Sequence, residues 1–372
     1  MKKILLITSS LTGTGHKSIS DALAEQFTAM PGVEAQTMEG FELTGRLSIW
    51  LTGVYGFLTR RFPAVYNAIW KFTDRHPSRF GWADFLYGRR IVKILRRIQP
   101  DLILTVHSMF NIGLTRILKR RSLEFPVAVL QADLVNIHST WCNPEASVTI
   151  CPTREAYDES LCRGIPPEKL KVLGLPVRKR FCDAAREADA KGNMLSRPLR
   201  CLLMGGGEGC GDLKAYAEAI LMHTDSMVTI VCSYNRKLFR NLQKRLSGRF
   251  GSRVNVLGFV DEIDQLMLHS DLLVSRASPN TLYEAIMLKL PVVMIGPLPA
   301  QEKDNPRLIQ ENGLGVFCAS PEDAPQIIRE LLEDDGARFR KIRAAQEKFR
   351  RFDDARNVAV FVAEQIKPAA NQ

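Results

Sequence analysis

The chain of 372 residues is as informative in what it lacks as in what it holds. Its aromatic-rich part has no uncharged run longer than residues 47–59, thirteen residues with two glycines. A helix that crosses a bilayer needs about 20. The apolar run Ile4 to Ile7 is too short for the core of a secretory leader, and no small-residue cleavage site follows it. Eight cysteines are present without a Cys-x-x-Cys pair, so reduced thiols without a structural zinc are expected. There is no Walker lysine pattern, and no glycine spacing matches the dinucleotide fingerprint. With 45% hydrophobic and 24% charged residues, disordered and collagen-like chains are excluded. The expected location is cytoplasmic, with or without peripheral attachment to a membrane.

Basic charge is in excess: 51 Lys plus Arg against 40 Asp plus Glu leave a net +11. Residues 41–100 alone carry eleven Lys or Arg against three acids. The same sixty residues hold twelve of the 29 aromatics, including Trp50, Trp70 and Trp82. Trp and Tyr settle at the headgroup level of a bilayer while Lys and Arg meet anionic lipid, so this composition suits a membrane-interface element. A solvated amphipathic subdomain, or a nucleic-acid surface built on stacking and phosphate contacts, fits it as well.

Along the chain, apolar strand runs alternate with helical stretches, the pattern of a parallel sheet in an α/β domain. Strands are expected at Lys3–Thr8, Val33–Met38, Leu102–Val106, Val127–Gln131 and Ser147–Ile150. The pattern restarts with Arg200–Met204 and continues through Val228–Cys232, Val254–Leu257, Leu272–Val274 and Val292–Ile295. Residues 1–173, including the basic aromatic segment 41–100, read as one doubly wound domain. Residues 174–198 read as a linker, 199–354 as a second doubly wound domain, and 355–372 as a terminal helix and tail. Two such domains enclose a central cleft that strand C-termini and glycine loops face.

Three loops carry candidate chemistry. Gly13-Thr14-Gly15-His16 lies between a strand and a helix, where free N–H groups and the helix dipole favour anions and an imidazole can accept a proton near neutral pH. Gly205-Gly206-Gly207-Glu208-Gly209 follows a strand and precedes a helix, which suits a diphosphate approached by backbone amides. Ser278-Pro279-Asn280-Thr281 opens a helix running through Glu284, with Ser278 as the expected N-cap.

The strings GTGH at 13–16, PDLILTVHS at 100–108, the run Ala132 to Trp141 with Asp133 and His138, PTREAY at 152–157, GIPPEKL at 164–170, GLPVRKRF at 174–181 and MGGGEG at 204–209 are collinear with one known family. So are Gly258-Phe259-Val260, the stretch 281–315 and the aromatic segment Phe62 to Pro77. The chain resembles the monogalactosyldiacylglycerol synthases and related processive diacylglycerol glucosyltransferases, within glycosyltransferase family 28.

The resemblance implies a GT-B fold, a UDP-sugar donor, a diacylglycerol or related lipid acceptor, an anionic membrane surface as partner, and no essential metal or other cofactor. It implies inversion at the anomeric carbon with His16 as general base and Asp133 orienting His16 or the acceptor. Gly206, Gly207 and Glu208 would lie beside the diphosphate and sugar, and Phe259 and Val260 beside uracil. Ser278, Asn280 and Thr281 would face phosphate, Glu284 the ribose, and Gln301 and Glu302 the sugar. Trp50, Tyr55, Phe57, Arg60, Arg61, Tyr66, Trp70, Trp82 and His107 would serve the acceptor and the inner face of the cell membrane. The family's Gly-Pro-Gly-Thr type loop is Ser278-Pro279-Asn280-Thr281 in this chain, so a shifted donor or acceptor preference is expected. Two other readings follow from the same residues: an N-acetylglucosaminyl transferase acting on an undecaprenyl-linked peptidoglycan precursor, and a non-catalytic binder of membranes or nucleic acid.

Overall fold

The computed structural model describes residues 1–11, 14–44, 62–76, 83–191, 195–205, 212–296 and 299–366. Trp50, Tyr55, Phe57, Arg60, Arg61, Trp82, Gly13, Gly206, Gly207 and Glu208, all expected at functional positions, lie outside the described residues. The chain divides into two units.

The first unit comprises Met1–Arg178, Pro299–Gln301 and Asp353–Gln372. Its elements are β1 (Lys2–Thr8), α1 (Thr14–Thr28), β2 (Val33–Glu39), α2 (Gly40–Thr44), α3 (Pro63–Arg75), α4 (Ala83–Ile98), β3 (Leu102–Thr105), α5 (Ser108–Arg120), β4 (Val127–Leu130), β5 (Val148–Cys151), α6 (Arg154–Cys162) and β6 (Leu170–Val172). The six strands form one sheet in the order β2-β1-β3-β4-β5-β6, and every pairing is parallel. Strands β3, β4 and β5 are buried along their whole length, as parallel strands covered on both faces must be. On one face Leu5, Ile7 and Ile103 pack against Ile91, Leu95, Leu114 and Ile117 of α4 and α5. Each such side chain contributes about 1.5–3 kcal/mol on burial.

The second unit comprises Lys179–Leu298 and Glu302–Phe352. It opens with α7 (Lys179–Lys191), so the stretch 174–198, expected as a linker, holds the boundary between the units and a helix. Phe181, Cys182, Ala184 and Ala185 bury one face of this helix, and that 3.6-residue spacing outweighs the surrounding breakers. The strands β7 (Arg200–Met204), β8 (Met227–Val231), β9 (Val254–Leu257), β10 (Leu272–Arg276), β11 (Val292–Ile295) and β12 (Gly315–Cys318) form a second parallel sheet. Its order is β12-β11-β10-β7-β8-β9. The helices that matter for its loops are α8 (Leu213–His223), α9 (Arg236–Leu242), α10 (Ile263–Leu268), α11 (Pro279–Met287), α12 (Asn305–Glu311) and α13 (Ala324–Phe349).

The terminal helix α14 (Asp354–Glu364) returns to the first unit, where it packs on α1 and its Ala363 carbonyl accepts from Lys2 Nζ at 2.7 Å. Gly174 has φ +87°, and a Cβ there would collide with the Asp354 carboxylate at the start of this helix. Gly174→Ala should therefore lower stability by about 2 kcal/mol, from left-handed strain plus displacement of the carboxylate. Chemical denaturation followed by circular dichroism measures this, and an unchanged midpoint would refute it.

Candidate active site

In a doubly wound sheet, loops diverge where the strand order reverses, leaving a crevice at the strand C-termini. In the first unit that point lies between β1 and β3. The loop after β1 leads into α1, whose third residue is His16, and His107 follows β3 after the single residue Val106. The two rings meet with centroids 4.4 Å apart and a 53° tilt. Trp141 lies 6.1 Å from His16, while Phe41 and Phe110 pack on His107 at 5.5 and 5.3 Å.

This apolar wall sets the charge state. Burial pushes the His16 pKa from 6.5 down to about 4, against a backbone hydrogen bond with Val106 and the nearby Glu39 carboxylate, both of which raise it. His16 also stands in the first turn of α1, where the dipole disfavours a cation. His107 is held well below its ordinary pKa, first by burial and then by His16. Its Nδ1 caps α5 by accepting from the Met109 N–H at 3.3 Å, which puts the proton of the neutral ring on Nε2. Glu39 fixes the start of the β1–α1 loop, its Oε2 accepting from the Ser10 N–H at 2.6 Å and the Ser10 hydroxyl at 2.9 Å.

Helix α3 docks beside this wall through its polar face. Asp74 accepts from the Ser139 N–H at 2.7 Å and from both Arg163 Nη groups, at 3.0 and 3.1 Å. Burial opposes the charge on Asp74, but these hydrogen bonds and the guanidinium outweigh it and lower its pKa. His138 lies edge-on against Trp70 at 4.9 Å, with Thr73 Oγ1 at 3.1 Å from its Nε2. On the same buried side, the Tyr66 hydroxyl donates to Gln301 Oε1 at 2.6 Å, and Asn136 Nδ2 donates to the Ala300 carbonyl at 2.8 Å. The other side of α3 carries Phe62, Val65, Ile69 and Phe72, each 45–51% exposed. Their spacing of three, four and three residues makes one stripe.

In the second unit the order reverses between β7 and β10. The Ser275 hydroxyl on β10 donates to the Met204 carbonyl on β7 at 2.9 Å. The buried Asn305 Nδ2 holds the Ala277 carbonyl at 2.8 Å. Helix α11 starts there with Pro279, and its Thr281 and Glu284 are buried. Arg276 at the end of β10 pairs with Glu302, Nε to Oε2, at 2.8 Å. Burial raises the Glu302 pKa, and Arg276 opposes it.

Residues 16–177 match the monogalactosyldiacylglycerol (MGDG) synthase family, and residues 200–355 match the C-terminal domain of glycosyltransferase family 28. The chain is similar to MGDG synthases along both of its units. It is 29% identical over 351 residues to a probable MGDG synthase of Nicotiana tabacum, covering 88% of this chain and 64% of that one. It is 30% identical over 352 residues to MGDG synthase 1 of Arabidopsis thaliana, again covering 88% and 64%. The chain thus spans a little under two thirds of the length of these chloroplastic relatives. Among solved structures it is similar to MurG of Acinetobacter baumannii, with a TM-score of 0.67 at 13% identity over 98% of this chain and 100% of that one. It is also similar to a UDP co-structure of MnaA from S. aureus, with a TM-score of 0.63 at 15% identity over the full length of both. These likenesses establish the GT-B fold.

The structure gives several of the expected site residues definite surroundings. Tyr66 is buried against Gln301 and Trp70 is half-buried on His138, so neither lies on the exposed stripe of α3. His107 is buried beside His16. Asp133 accepts from the Trp141 indole N–H at 2.6 Å, and the Glu39 carboxylate raises the His16 pKa. The Ser278 side chain makes no capping bond to α11; its hydroxyl donates to Thr281 Oγ1 at 3.0 Å instead. Gln301 and Glu302 are engaged by Tyr66 and Arg276 respectively. Asn280 and Val260 are half-buried, and Phe259 is exposed.

Glu39, Phe41, Phe110 and Asp74 were not legible as site residues. For Glu39 a signal existed, since it ends a strand flanking the reversal point. Titration of the imidazole proton shifts by NMR should show one histidine, assigned by its loss in His16→Gln, with a pKa about 4. Titration near 6.5 would contradict the buried setting.

Proposed function

We propose that the chain is an inverting glycosyltransferase that moves a hexose from a UDP-sugar to diacylglycerol at a membrane surface, with His16 as general base and no metal in the step. The observation that carries this reading is the neutral, half-buried His16 at the reversal point of the first sheet. A base must be unprotonated at working pH and shielded from competing water, and burial supplies both conditions.

In this reading the acceptor oxygen attacks the anomeric carbon from the face opposite the diphosphate. The new carbon–oxygen bond forms as the bond to the diphosphate oxygen breaks, and the hydroxyl proton passes to His16. The electron pair leaves with UDP. The free N–H groups at the start of α11 and the glycine loop after β7 would stabilise its charge. Glu39 would balance the imidazolium that forms. Glu284 is assigned to the ribose, and the Arg276–Glu302 pair to the wall near the sugar.

For the membrane we assign the α3 stripe of Phe62, Val65, Ile69 and Phe72, with Lys71 exposed alongside. Among the described residues no helix is long and apolar enough to cross a bilayer. Surface attachment of this kind, at the inner face of the cell membrane, would bring a lipid alcohol to the enzyme without a spanning segment.

His16→Ala should lower sugar transfer to diacylglycerol in mixed micelles by about 10²–10⁴-fold while UDP binding stays intact. Transfer at the wild-type rate would refute the base. Because His16 is deprotonated at all pH values above about 4, the acid limb of kcat/KM in the wild type should fall near pH 4 rather than near 6.5. For the membrane, Ile69→Glu combined with Phe72→Glu should reduce co-sedimentation with anionic vesicles at least fivefold, and unchanged sedimentation would remove the stripe from the reading.

A further inference from the structure

Two large aromatic rings stand in the open on the second unit. Tyr234 is 66% and Phe259 55% exposed, yet their rings stack with centroids 4.5 Å apart and only 19° between their planes. They follow β8 and β9, neighbouring parallel strands, at the C-terminal edge where ligands of such sheets bind. Exposed apolar rings gain little for stability, and near-parallel stacking leaves the outer faces free for another flat ring.

The backbone under Tyr234 is costly and well fixed. Ser233, immediately before it, has φ +50°, a left-handed conformation that a residue with a Cβ rarely adopts. The turn is closed by the Asn235 N–H donating to the Cys232 carbonyl at 3.0 Å. Asn235 Oδ1 then caps α9 by accepting from the Leu238 N–H at 2.9 Å. Local strain upheld by surrounding bonds, beneath an exposed aromatic side chain, points to a task for that side chain.

We propose that Tyr234 is a nucleobase-stacking residue, forming with Phe259 an aromatic platform on which the pyrimidine ring of a nucleoside diphosphate lies. This inference rests on the UDP-sugar reading above and extends it to a residue that no motif singles out. The base lays one π face on the outer face that Tyr234 presents, Phe259 backs that ring from behind, and no hydrogen-bond edge is read, so Tyr234 supplies affinity for the nucleotide through its ring rather than its hydroxyl.

The test is isothermal titration of the full chain with UDP and, separately, with inorganic pyrophosphate. Base–aromatic stacking of the usual strength makes the Kd for UDP rise on the order of tenfold in Tyr234→Ala. Tyr234→Phe should remain within about twofold of wild type, and pyrophosphate binding should not change in either variant. As Tyr234 is exposed, the melting temperature of the unliganded variants should match wild type, which separates a lost contact from a lost fold. Equal UDP affinity in wild type and Tyr234→Ala would overturn the platform while leaving the donor assignment standing. Failure of the wild type itself to bind UDP would overturn both.

Discussion

The candidate base depends on one constraint: a titratable ring has been taken out of water at the place where a parallel sheet opens. The order β2-β1-β3 sends the loops after β1 and β3 apart and leaves room between them. His16 and His107 fill that room, and their neighbours Phe41, Phe110 and Trp141 exclude the water that would otherwise stabilise an imidazolium. Two rings this close, one buried and one half-buried, cannot both be charged. His107 is further tied to the neutral form by its work as a helix cap, since protonating Nδ1 would remove the acceptor that Met109 uses.

The second sheet has an opening of its own, braced by different means. There the reversal point is braced by polar side chains gripping backbone: Ser275 on Met204 and Asn305 on Ala277. Arg276 and Glu302 form a nearly buried ion pair on the strand end. Such a pair costs much of its Coulombic gain in desolvation, so its presence there is better explained by geometry than by stability. One unit thus offers a neutral proton acceptor in an apolar wall, and the other offers a rigid, polar strand edge.

Strand positions were readable because buried parallel strands are short unbroken apolar runs; Arg200–Met204, Val254–Leu257 and Val292–Ile295 stand where the residues place them. Helix α7 was hidden because Gly174, Pro176 and Pro198 draw attention away from the apolar face that Phe181 and Ala185 share. His16 was legible from its place after a glycine pair. The role of His107 was not, because what makes it notable is a ring contact between residues 91 positions apart in sequence. Composition marked the aromatic segment as a whole, but it could not separate the two faces of α3. Tyr66 and Trp70 drew attention as amphipathic aromatics, whereas the exposed side is made of plain apolar residues.

The stripe on α3 has a kinetic side. From Phe62 to Phe72 it runs about 15 Å along the helix axis, half the thickness of a hydrocarbon core. A contact of that length can lie flat in the headgroup layer and let go again. In the proposed reading, residence on any one patch of bilayer would then be brief, and the number of acceptors met per visit would be set by how long four side chains stay wetted by lipid.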